Sequence, residues 1–311
     1  MEKFIDPKTL ARVKDMPLIA KTVAEGFLHG LHSSRQRGVG IEFNQYRAYE
    51  PGDELGRIDW KLFARSDRYF VREAERESEI EVWFLLDASA SMQLKSENKK
   101  ASQTDDNWDK FDYAKHLVAS LAYIAQKQGD SIGFLGLSCD EISFLPAANG
   151  ERHWRKLLQK LTCTKSGDQF PSFELLHRHL NQLRKPSLVF VLSDFHQRQS
   201  EITEFIGKLN TLNSEVVALQ LMCDDELVFD FKGAVRFKDL ETEEEVLVSA
   251  GSAKEAYLQT LENYQKSINE SLLQRNVGCF QINIDEPLDA ALYEYLKQRQ
   301  RAGSGAGAGA G

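Results

Sequence analysis

Cysteine is sparse and unpaired in this sequence: Cys139, Cys163, Cys223 and Cys279 stand singly among 311 residues. Zinc sites and disulfide frameworks normally show close pairs, so the four read as reduced core thiols of a cytosolic protein. Positive charge is in deficit, with 39 Lys and Arg against 47 Asp and Glu and a formal net charge of -8. Phosphate backbones are gripped by clustered Lys and Arg, so the balance argues against a general nucleic-acid binder and for protein partners and cations. No apolar run reaches membrane-spanning length, and the opening MEKFIDPKTLARVKDM has no apolar stretch suited to a signal peptide. The expectation is a cytoplasmic protein without direct membrane insertion, brought to a membrane only by partners. Phosphate-cradling glycine loops and internal repeats are also missing.

What is there centres on Glu79 to Met92, EIEVWFLLDASASM. An apolar run that stops at an acid and two serines reads as a buried strand delivering Asp87, Ser89 and Ser91 to its carboxyl edge. Open α/β sheets bind ligands at that edge. Three oxygen-bearing side chains at alternate positions of one turn can converge on a hard cation, because Mg²⁺ takes oxygen ligands in octahedral geometry and keeps water where the protein offers none.

Upstream, two helices are expected before the turn-rich HSSRQRGVG, the second carrying Leu18, Ile19, Val23, Phe27 and Leu31. Residues 41–79 are dense in balanced charge, with extended pieces near Ile41 to Tyr49 and Tyr69 to Val71. This reads either as a solvated scaffold of weak ion pairs or as a binding surface built by Arg47, Tyr49, Asp53, Arg57, Asp59, Trp60 and Arg65. The polar stretch 93–109 is too long for a simple connector, so it is a lid beside the metal or plain disorder.

Downstream, strands and helices alternate. Asp109 caps a helix with an apolar stripe of Phe111, Ala114, Leu117, Val118, Leu121, Ile124 and Ala125. SIGFLGLS and EISFLP form a hairpin, and His153 to Leu161 and Phe173 to Leu183 have helical spacing. SLVFVLS is a second buried strand, ending at Asp194. Ser200 caps the next helix, EVVALQLM is a strand, and residues 224–250 form a small β insertion. Ser252 and Glu255 make a capping-box pattern opening a long helix. CFQINI is the last strand and Pro287 opens a closing helix. The fold class is therefore doubly wound α/β with a mostly parallel sheet. The expected divisions are an N-terminal helical and extended region over 1–78, the α/β domain over 79–301, and a linker or tag remnant over 302–311.

The D-x-S-x-S pattern of Asp87, Ser89 and Ser91, followed by Asp194 after a later strand, resembles the metal-ion-dependent adhesion site of von Willebrand factor type A domains. The resemblance implies that both serines bind Mg²⁺, or another divalent cation such as Mn²⁺ or Ca²⁺, directly, and that the acids act partly through water. The same pattern places a threonine on a loop where this chain has TKSGDQFPSFELL. Aligning the glycine puts Asp168 at that position, with Thr164 or Ser166 as alternatives. RAYEPGDELGRIDWKLFAR, YFVREAERE and LLDASASM together resemble the domain of unknown function 58 family over nearly the whole chain. That family resemblance implies an adaptor or cofactor of a MoxR-type AAA+ ATPase, with other von Willebrand type A proteins as further partners.

The leading expectation is thus a non-enzymatic, Mg²⁺-dependent protein-interaction module. The rival is a metal-dependent hydrolase or phosphotransferase using Asp87 as nucleophile, although Ser89 stands where such enzymes usually carry a second acid. Among the histidines, His177 and His179 lie two apart on a helix and face different ways, and His153 reads as a surface or rim residue. His196 is the one near enough to Asp194 to support the site.

Overall fold

The computed structural model describes residues 16, 20, 24, 46–48, 70–72, 81–96, 108–167, 169–180, 183, 185, 187–197, 200–210, 214–240, 242 and 244–295. The chain divides into two compact units, Leu28–Glu79 and the remainder, Met1–Phe27 with Ile80–Gly311. In the smaller unit, β1 (Tyr46–Ala48) pairs antiparallel with β2 (Phe70–Arg72), Arg47 lying opposite Val71. The rest of the surface expected there, Tyr49, Asp53, Arg57, Asp59, Trp60 and Arg65, lies outside the described residues.

The larger unit is built on a six-stranded sheet. Its strands are β3 (Glu81–Asp87), β4 (Ser131–Leu137), β5 (Ser143–Ala148), β6 (Ser187–Ser193), β7 (Glu215–Met222) and β10 (Gly278–Asn283), in the spatial order β5-β4-β3-β6-β7-β10. All neighbours are parallel except β5, which runs antiparallel to β4 as the expected hairpin. β3 is buried along its whole length, which explains why its sequence is a continuous apolar run rather than an alternating one. Its side chains feed two layers. Trp83 and Leu85 join Val189, Val191, Phe205, Ile206, Ile268 and Leu272 in one core, while Phe84 stacks on Phe190 at 5.5 Å. Trp83 lies against the neighbouring strand at Gly133, where an added Cβ would sit 2.3 Å from the indole.

The helices are α1 (Lys110–Gln128), α2 (Glu151–Cys163), α3 (Phe173–Leu180), α4 (Glu201–Asn210), the short α5 (Asp224–Val228) and the long α6 (Ala250–Leu273). Residues 288–295 are helical too, as expected after Pro287. Asp109 caps α1 by accepting the Asp112 N–H at 2.6 Å, and Gly129 ends it in the left-handed conformation. The buried face of α1 is wider than the predicted stripe: Lys110, Tyr113 and Tyr123 are buried, whereas Leu121 and Ile124 are half-buried. The β insertion is present as an antiparallel ribbon of β8 (Ala234–Lys238) and β9 (Glu245–Ser249).

Two expected caps are different. The N–H groups of Ile202 and Thr203 are taken by Gln197 Oε1 at 3.0 and 3.2 Å, while the Ser200 hydroxyl donates to Glu204. The longer Gln197 side chain reaches over the turn and meets donors that Ser200 was expected to satisfy. α6 begins two residues before Ser252, whose hydroxyl donates to the Ser249 carbonyl inside the first turn. A capping box does occur, but at Cys223 and Glu226 on α5. Of the cysteines only Cys223 is fully buried, and Cys163 is exposed. Among the described residues no helix is long and apolar enough to cross a membrane.

Candidate metal centre

β3 and β6 are adjacent and parallel, and the chain leaves them toward opposite sides of the sheet, β4 lying beyond β3 and β7 beyond β6. That reversal opens a crevice at their carboxyl ends. Asp87 closes β3, and Asp194 follows β6 directly. Ser89 and Ser91 lie at the start of a 3-10 turn, Ala90–Gln93, that carries the chain off the strand.

The four side chains meet. Ser91 Oγ donates to Asp194 Oδ1 at 3.2 Å and lies 3.1 Å from Ser89 Oγ. Asp87 Oδ1 accepts the Ser89 N–H at 2.9 Å, and its Oδ2 accepts the Ser193 hydroxyl at 2.6 Å. Adjacent ligands of an octahedral Mg²⁺ at ~2.1 Å stand about 3 Å apart. The Ser89, Ser91 and Asp194 oxygens, separated by 3.1 and 3.2 Å, therefore fit a hard cation with little movement. Among the described residues no three His, Cys, Asp or Glu side chains form a group that could hold a metal ion by themselves. The donor set is thus hydroxyl-rich, which suits a magnesium-like ion better than a soft metal.

The three candidates for the fifth position differ in their surroundings. Thr164 is turned away, its hydroxyl donating to the Lys160 carbonyl at 2.8 Å and lying 3.2 Å from Ser143 Oγ. Ser166 is at the site's border: its hydroxyl donates to the Ser89 carbonyl at 3.1 Å and accepts from Gln93 at 2.8 Å. Gly167 pins this loop to the Asp87 turn by donating to the Ala88 carbonyl at 2.7 Å. Asp168 lies outside the described residues.

Electrostatically the two carboxylates differ. Burial, then the charge of Asp194, pushes the Asp87 carboxyl up to about 7, against hydrogen bonds from Ser193 and Ser89 that favour ionisation. Burial opposes ionisation of Asp194 too, but the Lys110 ammonium and the His196 N–H outweigh it and hold that carboxyl below its ordinary value. Lys110 Nζ lies 3.1 Å from Asp194 Oδ2 and 2.8 Å from Glu226 Oε1. Burial works against its charge, and the two carboxylates raise its pKa nonetheless.

Sequence reasoning missed Ser193, Phe195, Lys110 and Glu226. Phe195 is fully buried with a positive φ of 60°, a conformation that costs a bulky residue of the order of 1–3 kcal/mol and tends to occur at functional sites. Its carbonyl accepts the Tyr264 hydroxyl of α6 at 2.7 Å, and the turn it makes aims the His196 N–H at Asp194 Oδ1, 3.0 Å away. His196 thus supports the site through its backbone. The signal for Lys110 was available: at i, i+4 and i+7 with Ala114 and Leu117 it lies on the buried stripe, where an unpartnered ammonium would not survive. His153, expected at the surface, is buried, with Nε2 at 2.8 Å from the Ile132 carbonyl.

Strand order, the lone antiparallel strand and helices between the strands define a von Willebrand factor type A-like α/β domain. The chain belongs to the family described as protein of unknown function DUF58, whose model matches residues 45–267. It is 25% identical over 251 residues to the uncharacterized protein Rv1480 of Mycobacterium tuberculosis, covering 76% of this chain and 72% of that one. Among solved structures, it is similar to the conserved hypothetical protein BatB from Bacteroides thetaiotaomicron, with 12% identity, a TM-score of 0.42 and coverage of 71% and 99%. It is also similar to the SpRpn10 VWA domain, at 9% identity, a TM-score of 0.36 and coverage of 68% and 93%.

Proposed function

We propose that this chain is a Mg²⁺-dependent protein-interaction module that acts in the cytoplasm as an adaptor of a MoxR-type AAA+ ATPase. The observation that carries the cation is the convergence of Ser89, Ser91 and Asp194 oxygens at the spacing of adjacent octahedral positions. Asp87, Ser89, Ser91 and Asp194 would hold it, with Ser166 or Asp168 completing the protein's share. A bound ion would supply a positive centre with coordination positions left for a partner's carboxylate. The protein's own part is to keep those oxygens together: Ser193 and the Ser89 N–H orient Asp87, and the His196 N–H and Lys110 orient Asp194. The partner class comes from the family resemblance in the sequence.

The hydrolase reading gains no support from the geometry. Asp87 has no exposed surface, which leaves a phosphoester no line of approach to its carboxylate. Binding of a MoxR-type ATPase, measured by interferometry in Mg²⁺, in EDTA and with Asp87→Ala, tests the proposal. The expected result is binding in Mg²⁺ alone. Equal affinity in all three conditions would overturn the metal-bridged mechanism.

A further inference from the structure

Lys110 is the one described cation in direct contact with the site's carboxylates, and nothing in the D-x-S-x-S pattern calls for it. Its side chain is 1% exposed. It bonds the Asp194 oxygen that faces away from the serines, so a single carboxylate separates the ammonium from the Ser91 hydroxyl. Its second partner, Glu226, sits on α5 after β7. Glu226 Oε1 holds the lysine, while Oε2 accepts the Cys223 N–H at 2.9 Å and closes the capping box. The lysine therefore joins three separate parts of the chain: the start of α1, the end of β6 and the start of α5.

Resting on the metal reading above, we propose that Lys110 is the site's resident cation and sets its affinity for divalent ions. Without a metal it neutralises Asp194 and keeps the crevice assembled. When a metal is held, two positive charges compete for one carboxylate, and the lysine leans on Glu226. The chain thereby weakens its own ion site, so that occupancy responds to ion concentration and to a partner's carboxylate. Glu226 determines how much of the lysine's charge the metal meets, which makes α5 the part of the fold tied to occupancy. Lys110 and Glu226 are affinity-setting residues that need not touch the ion.

The pair predicts changes of opposite sign, which a merely structural role would not give. Mn²⁺ binding to the full chain, followed by the electron paramagnetic resonance of the free ion, is compared for the wild type, Lys110→Met and Glu226→Gln. Asp87→Ala serves as the non-binding control. A charge a few ångströms away shifts the binding of another by roughly tenfold or more. Lys110→Met is expected to bind Mn²⁺ at least about tenfold more tightly than the wild type, and Glu226→Gln several-fold more weakly. If the wild type binds Mn²⁺ and both variants match it, or both weaken alike, the role of Lys110 is overturned and the metal reading stands. If none of the three binds, both are overturned. Should Lys110→Met fail to fold even with Mn²⁺ present, Glu226→Gln decides alone: weaker binding supports the proposal, and unchanged or tighter binding overturns it.

Discussion

Asp87 and Asp194 end adjacent parallel strands, are both buried, and share the same small cluster of hydroxyls, yet the protein treats them in opposite ways. Asp194 has a lysine at 3.1 Å and a carboxyl held below the ordinary range. Among the described residues Asp87 has hydrogen bonds from Ser193 and Ser89 and no cation, and its carboxyl is pushed up to about 7 by burial and by the neighbouring charge. One half of the site is neutralised by the chain itself and the other half is left short of positive charge. A buried carboxylate in that condition takes either a proton or a cation, and this asymmetry is the physical reason to expect an ion on the Asp87 side.

The most forceful way to break the comparison is to remove each carboxylate's charge in turn. Asp194→Asn leaves the Lys110 ammonium buried with Glu226 alone, and loss of one partner from a buried pair typically costs about 3–5 kcal/mol. Denaturant melts in EDTA should show a loss of that order. A gain, or no change, would mean that Lys110 does not depend on Asp194.

Asp87→Asn should act in the opposite direction. The folded value of about 7 lies above the ordinary 3.8, so the folded state holds a proton that the unfolded chain has already released between those values. The metal-free wild type therefore loses stability as pH rises from about 4 to about 7 and is level above that. Asn, which never ionises, should bring no gain at pH 4 and a gain of a few kcal/mol at pH 8, since each tenfold change in proton affinity is worth about 1.4 kcal/mol. Mg²⁺ added to the wild type should close most of that gap. A pH-independent effect of Asp87→Asn would remove the asymmetry.

The smallest change sharpens the comparison by testing how the Asp87 side is buttressed. At Gly167 an added Cβ would lie 1.9 Å from Ser138 Oγ, so Gly167→Ala must either turn that hydroxyl away from the Asp140 N–H it accepts or shift the loop held to the Ala88 carbonyl. The expected cost is about 1–3 kcal/mol, with Mn²⁺ affinity reduced in parallel. A loss of stability with Mn²⁺ affinity intact would show that this loop serves folding alone.

The sheet was largely legible because its strands are buried on both faces: FLLD and SLVFVLS permit little else than interior parallel strands, each followed by an acid at the edge. The four oxygens were legible for the same reason, since strand ends fix where the next few residues go. What was not legible depended on long side chains reaching across the chain. Gln197 supplies the cap that Ser200 was expected to supply, and Glu226 caps α5 while holding a lysine 116 residues away. Phe195 gives no hint of its left-handed turn, because that conformation is imposed by the Tyr264 hydroxyl and the packing around it rather than by local preference.

One end of the sheet has its own consequence. β5, the reversed strand at the border of the sheet, carries Pro146 exposed to solvent, and a proline offers no N–H for another strand to grasp. Copies of the protein are thereby discouraged from zipping together along that flank.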